Sequence, residues 1–419
     1  MQDPTRKAIE TVWAMERPRL LGGLARITRD LDAAEDLAQE VLVTALEQWP
    51  VSGVPDNPGA WLMTAAKNRA IDQLRRRKRI DQKLDALGGN TANFTPSPQP
   101  SPEDTLDEDV GDDLLRLMLI ACHPILAREA RIALTLRLLG GLSTEEIARA
   151  FLTAETTVAQ RIVRAKRTLA EARVPFEMPE GSELQECVGS VLEVIYLVFN
   201  EGYSATGGDA LIRTGLCEDA LRLARIVAQL VPNEPEAHGL LALLEIQASR
   251  AKARVDARGG PVLLSEQDRS KWDQLLIQRG LAALATAESL RRPFGPYTLQ
   301  ASIAACHARA LTAGDTDWEA IVALYDALVE LTNSPVAELN RVVAISFAFG
   351  PKAALEALEP LLHEPVLRNY YLLPSVHGDI LEKLGRCSEA RAEFERAAAM
   401  TENRSEKRFL TARAERCRT

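Results

Sequence analysis

From Thr5 to about Lys83 apolar residues recur at helical spacing, as in Leu37, Val41, Leu42, Ala45 and Leu46. The interruption Pro50-Val-Ser-Gly-Val-Pro-Asp-Asn-Pro-Gly59 predicts helices before and after it. A stretch from Leu87 to Pro102, rich in Pro, Ser, Gly and Asn, leads into a run of acids. It cannot bury enough apolar surface to offset its ordering entropy, so residues 84–112 are expected to form a flexible linker. Helical periodicity resumes near Leu114 and lasts to about Ala172, where Pro175, Pro179 and Gly181 mark a second boundary. Everything beyond reads as helices with short connectors. The pattern therefore predicts an all-α protein with domains at 1–83, 113–174 and 182–419.

Within the last domain, small residues recur where paired helices would touch: Ala220, Ala224 and Val227 before Pro232, then Ala320, Leu324 and Ala327, then Ala354, Leu358 and Leu361. The clearest unit combines Gly378 and Leu381, Leu384-Gly385 at a turn, and Ala390, Phe394 and Ala397. The step from Ala320 to Ala354 matches the ~34-residue period of a tetratricopeptide repeat, which this part resembles. Gly259-Gly260-Pro261 looks like an insertion between units. The cluster Asn200-Glu-Gly-Tyr203, followed by Gly207-Gly-Asp209, is either a helix stop with local turn bonding or a ligand-docking surface.

Composition sharpens this picture. Apolar residues make up 46% and aromatics 5%, a balance that favours helix on helix over sheets. No apolar run reaches the ~18 residues needed to span a membrane, and Met1–Lys7 lacks a secretory core, so a cytoplasmic protein is expected. Six scattered cysteines form no CxxC pair, and Cys122-His123 has no second cluster to complete a metal site; reduced structural thiols and no cofactor are expected. Five histidines and dispersed carboxylates make no acid, base or nucleophile constellation, which argues against an enzyme. The net charge of -9 conflicts with DNA binding only until its distribution is considered: Lys67, Arg69, Arg75, Arg76, Arg77, Lys78, Arg79 and Lys83 crowd one segment, and Arg161, Arg164, Lys166 and Arg167 another.

Three stretches carry chemistry. Asp32, Glu35, Asp36, Gln39 and Glu40 fall mostly on one polar side of a helix. Trp61 then opens a helix bearing Lys67, Asn68, Arg69, Asp72, Arg75 and Arg76; the tryptophan suits either the core or stacking on a base, and the arginines either phosphate contact or a basic helix end. Ser143-Thr-Glu-Glu146 is a capping box starting a helix with Ile147, Ala148 and Phe151 inward. After the connector Leu152-Thr-Ala-Glu155, a second helix has Thr157, Val158, Ile162, Ala165 and Leu169 on one side and offers Gln160, Arg161, Arg164 and Arg167 outward, as a helix-turn-helix reader of the major groove does.

Taken in order, these stretches resemble regions 2 and 4 of an extracytoplasmic-function (ECF) RNA polymerase sigma factor of the sigma-70 family, in the subgroup with a long tetratricopeptide-like extension. The resemblance implies that the acidic helix docks on the beta-prime clamp of the polymerase core, with the beta flap as a further partner. It also implies that Lys67, Asn68 and Arg69 lie at the minus-10 element, Asn68 holding a flipped base while Arg75 and Arg76 grip phosphates, and that Thr157, Gln160, Arg161, Arg164 and Arg167 face minus-35 promoter DNA. The extension is then expected to regulate activity through a protein or intramolecular partner. The rival reading is a stand-alone helix-turn-helix regulator with an effector-binding repeat domain, which would leave the acidic helix without a task.

Overall fold

The computed structural model describes residues 4–88, 110–151, 153–204, 212–256 and 260–417. Among these residues eighteen α-helices occur, and the one extended pairing is an isolated bridge between Val255 and Pro261. The all-α expectation holds. Two compact units result, Met1–Val194 and Ile195–Thr419, divided within a helix.

The first unit opens with α1 (Pro4–Thr28), α2 (Leu31–Ser52) and α3 (Pro58–Gly88), which pack on one another. Their buried residues follow the helical period: Leu20, Leu21 and Leu24; Leu37, Val41, Ala45 and Trp49; Leu62, Ala66 and Ala70. Leu46 departs from the expected stripe and is 40% exposed, since a helix of this kind buries one face and Leu46 lies beyond its edge. Asp30 caps α2, its carboxylate accepting the N–H groups of Asp32 and Ala33 at 2.9 and 3.1 Å. The proline-glycine interruption ends α2 as expected, with Gly53 at positive φ donating to the Trp49 carbonyl at 3.0 Å. Because α3 runs on to Gly88, the expected linker begins inside a helix; its residues 89–109 lie outside the described residues.

Next come α4 (Val110–Ala121), α5 (Arg128–Thr135) with a wider π turn at Leu136–Gly140, α6 (Thr144–Ala150) and α7 (Glu155–Glu171). The predicted capping box is formed: Glu146 N–H donates to Ser143 Oγ at 3.1 Å and Ser143 N–H to Glu146 Oε2 at 2.7 Å. Val158, Ile162, Ala165 and Leu169 give α7 its buried face. Helix α4 lies directly on α1, where a Cβ on Gly22 would come 2.5 Å from the Asp113 carbonyl oxygen, so this approach requires glycine. Cys122 is fully buried beside Thr135, its Sγ 3.1 Å from the hydroxyl, and burial pushes the thiol up to about 12.

Helix α8 (Gly181–Tyr203) contains the boundary between units. The second unit continues with α9 (Thr214–Leu230), α10 (Pro235–Ser249), α11 (Gln274–Ser289), α12 (Pro296–Arg309), α13 (Trp318–Thr332), α14 (Pro335–Ala348), α15 (Pro351–Leu358), α16 (Leu372–Lys383), α17 (Cys387–Met400) and α18 (Arg404–Arg416), most of them packed on their sequence neighbours. Ala220, Ala224 and Val227 are buried, and Gly378 seats the Phe394 ring so closely that a Cβ would stand 2.8 Å from it. On α13 the fully buried residues are Ile321, Val322 and Leu328; of the three expected contacts Leu324 packs partly buried against that cluster, Ala320 is half-buried and Ala327 is exposed, because larger apolar residues one helical step away hold the core. Gly295 offers no side chain to cap α12; instead Glu236 of α10 accepts the N–H groups of Tyr297 and Thr298 at 2.7 and 3.1 Å. The Asn200–Tyr203 cluster ends α8, with Gly202 set where a Cβ would meet Cys217 N at 2.8 Å, while Gly207-Gly-Asp209 lies outside the described residues.

Candidate polymerase and promoter surfaces

On α2 the predicted acidic residues divide into two groups. Asp36, Gln39 and Glu40 are exposed, and the same surface continues through Val43 at 52% exposure and Leu46 at 40%. A polar strip with an apolar end suits a protein partner, since interface centres are depleted in charge and their rims are polar. Glu35 instead is half-buried and faces other parts of the same unit, and Asp32, though 72% of its side chain is exposed, shares a partner with it. Glu35 Oε1 accepts from Arg17 at 3.3 Å and lies 3.5 Å from Arg137 Nε, and its Oε2 lies 2.5 Å from Lys166 Nζ, which also reaches Asp32 at 2.6 Å. Burial works to lower the Lys166 ammonium, but the hydrogen bonds and charges of Asp32 and Glu35 outweigh it and hold the group above the ordinary lysine range. Desolvation likewise lowers Arg17, which donates to the Arg137 carbonyl at 2.8 Å.

Helix α3 presents Asn68, Asp72, Arg75, Arg76 and Arg79 on its exposed face, at spacings of three and four residues. Lys67 and Arg69 are half-buried to either side of Asn68. Arg69 reaches across to α2, donating to Thr44 Oγ1 at 2.6 Å and standing 3.9 Å from Glu40, so it ties the two helices together and fixes the register of Asn68. Trp61 is half-buried with its ring edge-on to buried Trp49, centroids 5.4 Å apart, which gives it a packing role and leaves part of its surface open.

Helix α7 exposes Gln160, Arg164 and Arg167, while Thr157 and Arg161 are half-buried at its inner edge. Arg161 borders a small hollow lined by Ile132, Ile147, Phe151 and Val158. Leu152 of the connector lies outside the described residues, but Thr153 N–H bonds back to the Ala148 carbonyl at 3.0 Å and closes the turn between α6 and α7. Lys166 is the residue that the reading of outward and inward faces left unassigned. Its signal was its phase: it adjoins Ala165 and stands four residues after Ile162, at the edge of the buried stripe, where Arg164 and Arg167 do not. Arg17 and Arg137 had no comparable signal, since their contacts with each other and with Glu35 join segments that lie apart in the chain.

Sequence comparisons identify the families that the chain matches. The sigma-70 region 2 family matches residues 13–80, the sigma-70 region 4 family residues 116–169, and a family of unknown function, DUF6596, residues 188–288. An uncharacterized protein of Rhizobium meliloti is 43% identical over 408 residues, covering 96% of this chain and 94% of its own length. RNA polymerase sigma factor CarQ of Myxococcus xanthus is 32% identical over 150 residues, 35% of this chain and 78% of that protein. ECF RNA polymerase sigma factor SigL of Mycobacterium tuberculosis is 32% identical over 145 residues, 34% of this chain and 76% of its own. With region 2 helices bearing an acidic strip and an exposed asparagine, a capped helix-turn-helix and these relatives, the chain belongs to the sigma-70 family of RNA polymerase sigma factors, on its ECF side.

Proposed function

We propose that the protein directs core RNA polymerase to specific promoters. In this reading Asp32, Glu35, Asp36, Gln39 and Glu40 meet a basic surface of the polymerase clamp, where charge complementarity speeds encounter and sets register. Asn68 holds a base that has left the duplex stack, Lys67, Arg69 and the open part of Trp61 flank it, and Arg75 and Arg76 grip the backbone around it. Helix α7 enters the major groove at minus-35 with Thr157, Gln160, Arg161, Arg164 and Arg167. The observation that carries this reading is the linkage of α2 to α3 through Arg69, which sets an exposed Asn68 beside an acidic strip on one rigid pair of helices. A DNA reader acting alone has no need of that strip.

The second unit acts as a regulatory domain of tetratricopeptide-like helix pairs, a reading supported by the seat of Phe394 on Gly378 and by the buried Ala220, Ala224 and Val227. Transcription reconstituted with core polymerase and a promoter library tests the proposal: the chain is expected to start transcripts at a defined site. Failure to bind core enzyme, with duplex binding in a gel shift unchanged by polymerase, would establish the stand-alone regulator instead.

A further inference from the structure

All six tyrosines of the chain lie in the second unit, and every one is half-buried. Five of them form a hoop with two arginines. Arg250, at the end of α10, donates to the Tyr203 hydroxyl at 2.9 Å, and Arg254, one short turn later, donates to the Tyr203 carbonyl and lies over its ring, 3.8 Å from the centroid. The charge of Arg254 acts in turn on Tyr371, ahead of α16, and on Glu406 of α18. Tyr371 adjoins Tyr370, Tyr370 and Tyr325 both face Tyr196, and Tyr325 of α13 comes back within reach of Arg250. The Asn200–Tyr203 end of α8 is therefore both a helix stop and one side of this hoop.

Arg250 and Arg254 form no ion pair among the described residues, in a unit where Arg213, Arg225, Arg341 and Arg413 all do. Arg250 spends Nη2 on Tyr203 and Gln247, and Arg254 spends Nη1 on the Tyr203 carbonyl; the remaining Nη1 of Arg250 and Nε and Nη2 of Arg254 bond no described residue. Nor do the hydroxyls of Tyr325 and Tyr370. Tyr325 keeps accessible surface, yet desolvation pushes its hydroxyl up to about 12, as in a concavity that solvent still enters. Glu406 bonds the hydroxyls of Tyr371 and Thr401 and offsets one of the two guanidiniums. Arg269, also near Arg250, is taken up by the carbonyls of His307 and Ala310 at 2.6 Å and balanced by Asp315. One positive charge is left over, which matches a monoanion; guanidinium forks suit a carboxylate, and tyrosine faces suit a flat ring. We propose that the hoop binds a small aromatic carboxylate, its charge on the open nitrogens of Arg250 and Arg254, its ring against the tyrosines, and the Tyr325 and Tyr370 hydroxyls as further donors. This gives the regulatory domain a ligand class and depends on that reading for its consequence alone: binding is measured without polymerase, so the two fail separately.

The test is calorimetric titration of the full chain with benzoate and indole-3-carboxylate, against benzamide, phenyl phosphate and an acidic peptide. At least one of the two carboxylates is expected to bind once per chain with a Kd of about 1 mM or tighter, and benzamide and phenyl phosphate at least about tenfold more weakly. Arg254→Gln is expected to abolish carboxylate binding. Because Arg254 also holds the end of α8, a second variant guards against misfolding: Tyr325→Phe with Tyr370→Phe removes only two hydroxyls that bond no described residue, and is expected to keep the native melting transition while weakening the carboxylate about tenfold. Silence of both carboxylates at about 10 mM overturns the proposal, as does equal affinity for benzoate and benzamide, or an affinity unchanged by either variant. Tighter binding of phenyl phosphate would make the hoop a phosphate site instead, and an acidic peptide held through Arg254 while both carboxylates stay inert would make it a peptide groove; either result also overturns it.

Discussion

Replacing Glu35 by Gln keeps the shape of the side chain and removes the charge on which three cations converge. Lys166 keeps Asp32 at 2.6 Å, and Arg137, with 32% of its side chain exposed, can recover water. Arg17 can do neither, since 7% of its side chain is exposed. Removing one partner of a buried pair costs about 3–5 kcal/mol, because the remaining charge is left uncompensated. Glu35 itself is 14% exposed and Arg17 retains the Arg137 carbonyl at 2.8 Å, so the expected loss is at or below the lower end, about 2–3 kcal/mol. Urea-dependent hydrogen exchange, read on peptides from α1, α2 and α7, follows the first unit separately from the second. Glu35→Gln and Lys166→Gln are also expected to be non-additive, because they share one contact. A change below about 0.5 kcal/mol, the level of an ordinary surface substitution, would refute the hub role of Glu35, as would strict additivity of the two.

Further outcomes are expected. Asn68→Ala should impair promoter opening, read by permanganate footprinting, more than closed-complex binding; equal loss of both would remove its base-holding role. Ser143→Ala should cost about 1 kcal/mol by uncapping α6, measured as a shift in the urea midpoint of the first unit. Gly239→Ala should destabilise the second unit by about 1–3 kcal/mol despite the better helix propensity of alanine, because its Cβ would meet Thr298 N at 2.7 Å. Burial, aided by Arg250 and Arg269, lowers His307 to about 4, whereas the unfolded imidazole titrates near 6.5, so stability is full above about pH 6.5 and is lost as pH falls toward 4. Between pH 7 and pH 5 the second unit should lose about 2 kcal/mol, measured by urea titration, and His307→Gln should flatten that dependence.

Periodicity and punctuation made most of the helices legible, because each writes its signal within a few residues. Gly53 and Pro58 bracket the α2 to α3 turn, and Ser143 and Glu146 cap α6 where the spacing placed them. The exposed parts of the candidate surfaces were legible for the same reason: Asn68, Gln160, Arg164 and Arg167 stand opposite buried stripes that can be counted along the chain. Use of Asp32 and Glu35 was not legible, since their partners are 134 and 131 residues away at Lys166 and no local pattern couples such distant charges. On α13 Leu324 reaches the core as expected but Ala327 does not, because small residues at a repeat period carry little information where Ile321, Val322 and Leu328 compete for the same core.

The clamp of Glu236 on the start of α12 bears on where the second unit can be cut. The DUF6596 match ends at residue 288, short of Tyr297 and Thr298, so a fragment trimmed to that boundary keeps the carboxylate and discards both amides it serves. It would also strip cover from α10, whose Ala242, Leu243 and Ile246 share a cluster with Ala301, Ala304 and Ala305. Such a fragment should aggregate, whereas one extended past Arg309 retains that shared cluster; the folding module is longer than the stretch by which its relatives are recognised.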